Sequence, residues 1–152
     1  MRRGRLVGGA GAAALALAVA ACGGGGGGDR LTLDEYLAQA DAICKEFDGK
    51  FGDLGEPESA ADAGKLVRDG KVLAEEQLAK LRELRPPEDI EAKVDEAYNA
   101  LDDQIALFDD FADAVEAEDS AKVEEITGKL DDLNETADGV AKEIGLETCG
   151  ST

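Results

Sequence analysis

Between Leu31 and Leu146, apolar residues return every three or four positions in four separate stretches, and each stretch ends at a proline, a glycine or a short polar turn. A period of 3.6 residues puts such positions on one face of an α-helix. The chain therefore has four helical stripes to bury, and burying them against one another is the simplest solution. No alternating run of useful length competes for a strand.

The boundaries are written in capping residues. Thr32 and Glu35 form a capping box ahead of Leu33, Tyr36, Leu37, Ala40, Ile43, Cys44, Phe47 and Phe51, which predicts a first helix over about 33–51. Gly52 to Glu58, with Pro57, breaks it. Ser59 caps a second helix whose stripe runs from Ala63 through Gly70, Leu78 and Leu81 to Leu84, and Pro86 and Pro87 end it. A third helix starts around Pro87 or Glu88, since proline is tolerated in a first turn. Its stripe runs from Ile90 to Val115. After a polar turn at Glu116 to Asp119, Asp119 or Ser120 caps a fourth helix over Val123 to Ile144. Gly145 stands where a left-handed residue closes a helix, with Leu146 folding back on Ala141.

Four amphipathic helices with short connections imply an all-α, up-down-up-down four-helix bundle. With four Phe, two Tyr and no Trp, its core is made of Leu, Ile, Val and Ala. Gly64, Gly70, Gly128 and Gly139 fall inside the predicted helices. Gly70, on the buried stripe, is the one expected to allow a close helix approach; the others read as weak points, each costing up to about 1 kcal/mol relative to alanine.

The N-terminus is built differently. Arg2, Arg3 and Arg5 precede an apolar run from Leu6 to Ala21, and Val19-Ala20-Ala21 stands before Cys22. A basic head, a short apolar body and small residues before a cut site make a secretory signal rather than a membrane span. The cut before a cysteine resembles the lipobox of bacterial lipoproteins. That resemblance implies a signal peptide over 1–21, lipidation of Cys22 through a diacylglyceryl thioether and fatty acyl chains such as palmitate, and a protein anchored on the extracytoplasmic face of the cell membrane. Gly23 to Gly28 then reads as part of a flexible tether over 22–30, spanning about 15 Å, with the bundle domain over 31–152.

Removing residues 1–21 takes the 16 basic residues to 13 against 35 acidic ones, a net of −22. Such charge repels nucleic acid and anionic headgroups and attracts cations or a basic partner. The chain has no histidine, which removes the commonest general base and the commonest transition-metal ligand. Asp102, Asp103, Asp109, Asp110, Asp113, Glu116, Glu118 and Asp119 crowd the third helix and its turn, but no EF-hand spacing accompanies them; a solvated face is the expectation. Phosphate loops, nucleophile elbows and Ser/Lys arrangements are missing from the sequence. No catalytic residue, metal site or cofactor is expected, and the protein is read as a non-enzyme.

With Cys22 taken by lipid, Cys44 and Cys149 remain, and an even pair in an exported chain reads as a disulfide. The tail after the fourth helix is long enough to reach the first. The segment Ala40-Asp41-Ala42-Ile43-Cys44 and the closing Ala141-Lys-Glu-Ile-Gly-Leu-Glu-Thr-Cys149-Gly150 resemble those of uncharacterised secreted helical lipoproteins of high-GC Gram-positive bacteria. No activity comes with that resemblance. The leading function is a membrane-anchored binding or scaffolding domain for a protein partner; the alternative is a carrier of a small apolar ligand between helices, lined by Leu101, Ile105, Phe108 and Phe111, and an enzyme using acidic residues comes third. A large interhelical cavity favours the carrier, whereas an unbroken core with an exposed apolar patch favours the scaffold.

Overall fold

The computed structural model describes residues 30–149. It holds four helices and no strand among the described residues: α1 (Leu33–Gly52), α2 (Ala60–Glu83), α3 (Glu88–Glu116) and α4 (Ser120–Ile144). The signal segment, Cys22 and the glycine run lie outside the described residues. Among the described residues, no helix is long and apolar enough to cross a membrane.

The caps act where the sequence puts them. Thr32 accepts from the Glu35 amide while the Glu35 carboxylate accepts from the Thr32 amide, closing the capping box. Ser59 and Asp119 cap α2 and α4 through the amides of Asp62 and Lys122. Gly145 takes φ 97° and lets the Leu146 amide donate to the Ala141 carbonyl, the expected Schellman closure. A second such closure ends α3 without a glycine. There Glu118 adopts φ 53°, and the amides of Glu118 and Asp119 donate to the carbonyls of Val115 and Ala114. Arg30 is also part of the fold: its guanidinium donates to the Pro86 carbonyl at 3.0 Å and pairs with Glu91 at 2.7 Å.

The helices follow one another around the bundle, but they do not close it evenly. α3 lies along both α2 and α4, and α1 approaches α2. No Cα of α1 comes within 8 Å of one in α4. The bundle is thus open along the α1–α4 seam. A buried core cluster lies at the end where α1 and α3 begin and α2 and α4 finish, around Tyr36, Ala40, Cys44, Leu78, Leu81, Val94, Tyr98, Val140 and Ile144. At the other end α2 is only half covered, so Leu66, Val67, Gly70 and Ala74 are half-buried rather than core.

The glycine expectation is corrected at this point. Gly70 meets only ordinary contacts with Leu54 and Phe51. Gly64 is the buried one, and a Cβ there would collide with the side chain of Glu116. Glu116 crosses that gap to reach Arg68, which also takes Asp113.

Candidate functional site

The tail after α4 is tied to the bundle in three ways, two of them through α1. Cys149 is bonded to Cys44, with Cα atoms 5.3 Å apart. The Asp41 carboxylate accepts from the amides of Glu147, Thr148 and Cys149, the shortest at 2.8 Å. Leu146 packs on the core. Asp41 and Cys44 lie three residues apart, one turn along the same side of α1, so one carboxylate and one disulfide hold the same strap. The role of Asp41 was not foreseen. Its signal was an acid placed between Ala40 and Cys44 on an otherwise apolar face.

Behind the open seam lies a cavity of about 200 Å³. All four helices and the tail line it. Ala40, Cys44 and Phe51 come from α1, Leu81 from α2, Val94, Ala97, Tyr98 and Leu101 from α3, Ala137, Val140, Ala141 and Ile144 from α4, and Leu146 and Cys149 from the tail. Tyr36 completes the apolar wall. Polar side chains enter through Asp48, Gln77, Asn134, Asp138 and Thr148. Asp48 and Asn134 are exposed and so mark the mouth. α1 and α4 run antiparallel, and Asp48 on α1 and Asp138 on α4 both border the cavity.

Tyr36 and Tyr98 share a hydrogen bond of 3.0 Å in the wall of this cavity. The Tyr98 hydroxyl donates to the Leu81 carbonyl at 3.0 Å. With that single proton committed, Tyr36 is the donor to Tyr98, and the Tyr36 oxygen keeps its own lone pairs. Burial pushes both phenols above the ordinary tyrosine range.

Of the four residues expected to line a ligand, only Leu101 borders this cavity. Ile105 packs against the main core cluster. Phe108 and Phe111 are half-buried farther along α3, outside the cavity wall. The apolar stripe shows which way a side chain faces, and a cavity depends on how far apart the helices stand.

The acidic side chains of α3 meet the cations of α2. Asp102 pairs with Arg82, Asp109 with Lys71, and Asp113 and Glu116 with Arg68. Among the described residues, no three Cys, Asp or Glu side chains come together in a way that would hold a metal ion. No protein family, curated protein or solved structure matches the chain.

Proposed function

We propose that the protein is a carrier or sensor domain that takes a small, largely apolar molecule into the α1–α4 cleft, and that it acts by binding rather than catalysis. The observation that carries this reading is the apolar cavity of about 200 Å³ in a bundle open along a single seam. Drug-sized sites run to ~300–1,000 Å³, whereas an engineered cavity of ~150 Å³ lined by apolar side chains takes up benzene. A single ring or a short chain is the right size here.

The scaffold reading has less behind it. A protein-binding domain wants a contiguous apolar patch. Among the described residues, the large apolar side chains that are exposed are Leu33 and Val72, on two different helices.

The carrier is proposed to stand on the extracytoplasmic face of the cell membrane, held by lipid on Cys22. The basic head, the apolar body and Val19-Ala20-Ala21 before that cysteine support this. Two or more acyl chains anchor far more firmly than one. Fractionation of cells expressing the native chain and Cys22→Ser should put the first in the membrane and release the second; equal partition of both would refute the anchor.

The binding reading is tested by toluene titration followed through the Tyr36 and Tyr98 ring resonances. Both should shift saturably. Ala137→Leu, which fills the cavity from a buried wall position, should abolish the shift without lowering the melting temperature. Unmoved tyrosines, or equal uptake by Ala137→Leu, would overturn the reading.

A further inference from the structure

We propose that the occupant of the α1–α4 cleft is a small organic cation: an ammonium group on a single ring or short apolar chain, its body in the cavity and its charge between Asp48 and Asp138. This rests on the carrier reading and names the ligand class within it.

Three observations point the same way. The described residues include 13 lysines and arginines, yet none of these lines the cavity. An anionic ligand would therefore face no compensating charge. Two carboxylates do line it, Asp48 on α1 and Asp138 on α4, and neither is engaged in an ion pair. This sets them apart from the acids of α3, several of which the cations of α2 have already taken. Deeper in the wall, Tyr36 is 1% exposed and its proton is committed to Tyr98, so its oxygen offers a ligand only lone pairs. Aside from the amides of Gln77 and Asn134 and the hydroxyl of Thr148, the polar groups around the space are acceptors. A donor-rich, positively charged head with an apolar body complements that set; a carboxylate or phosphate does not.

Calorimetric titration of the full chain at low ionic strength, with phenethylamine, 2-phenylethanol and phenylacetate, tests this. The three share a ring and length and differ in charge. Phenethylamine should bind about tenfold tighter than 2-phenylethanol, the preference two partly exposed charge pairs can supply, and phenylacetate weakest. The advantage should shrink as salt is added. In Asp48→Asn/Asp138→Asn the amine should fall to the affinity of the alcohol, with the alcohol unchanged. Asp103→Asn/Glu124→Gln removes two exposed charges that do not line the cavity and should leave the preference intact. Equal affinity for amine and alcohol, tighter binding of phenylacetate, or a preference lost equally in both double variants would overturn the cation assignment while leaving the carrier. If none of the three probes binds a chain that melts cooperatively, the carrier reading itself falls.

Discussion

At the scale of single residues, the tyrosine pair is the most consequential polar feature of the core. The chain has two tyrosines and no tryptophan, so its phenolate absorbance reports on this pair alone. Burial raises both pKa values above the unfolded value of about 10. Folding thus favours the protonated phenols. Their contribution is fully present below pH ~10 and is lost as pH rises above it, at up to about 1.4 kcal/mol per pH unit for each tyrosine. Tyrosinate absorbance and helical signal should therefore change together in one alkaline transition. Phenolate appearing while the helices persist would count against a buried pair. The hydrogen-bond order also separates two substitutions. Tyr36→Phe removes one donor and leaves Tyr98 bonded to Leu81, costing about 0.5–1.5 kcal/mol; Tyr98→Phe strands the buried Tyr36 hydroxyl and costs about 1–3 kcal/mol. Denaturant titration of the two variants should rank them in that order.

At the scale of elements, capping chemistry made the helices legible before their packing was known. Thr32, Ser59, Asp119 and Gly145 mark ends that the fold reproduces, because each supplies an orphaned backbone group with a local partner. The close of α3 was harder to read, since Glu118 occupies a left-handed position that sequence normally signals with glycine. The site was legible only in part. Leu101, Cys44 and Cys149 follow from periodicity and cysteine count. The width of the α1–α4 seam, the rim carboxylates and the use of Asp41 are tertiary facts that no local pattern encodes. The tail gives this scale its prediction. The Cys44–Cys149 bond closes a separation of 105 residues, worth roughly 4.7 kcal/mol in the chain-entropy model. Reduction should lower the unfolding free energy, measured by denaturant titration, by an amount of that order. Asp41→Ala removes the acceptor for three tail amides, and it should speed reduction by a soluble dithiol, since the strap then opens more often around the bond. Unchanged reduction kinetics in Asp41→Ala would mean that the disulfide alone holds the tail.

At the scale of the whole molecule, 35 acids against 16 bases leave a net charge of −19, with a pI near 4.2. Ion pairs across and along the helices offset part of this, but they are exposed and individually weak. Salt discriminates between the two contributions by distance. The pairs act at about 3 Å, well inside the ~10 Å screening length of 0.1 M salt, whereas repulsion among scattered carboxylates acts over longer spans and is screened first. Added salt should therefore stabilise the fold. Lowering pH from 7 at low salt should do the same by shedding excess negative charge. The gain has a limit. Glu46 is held below the usual range by Lys80 and Lys50, Glu91 by Arg30, Glu125 by Lys129 and Lys122, and Glu35 by its bonds to Thr32. A carboxylate depressed by folding stabilises fully above its unfolded pKa of about 4.3, and that contribution is lost as pH falls through the lower folded value. Melting temperature should thus climb from pH 7 to a maximum near pH ~5 and decline below ~4. In high salt the climb should flatten, because the repulsion it relieves is already screened, while the acid decline remains. A melting temperature that drops steadily from pH 7 at low salt would mean that the paired carboxylates, and not the unpaired excess, dominate the electrostatics of the fold.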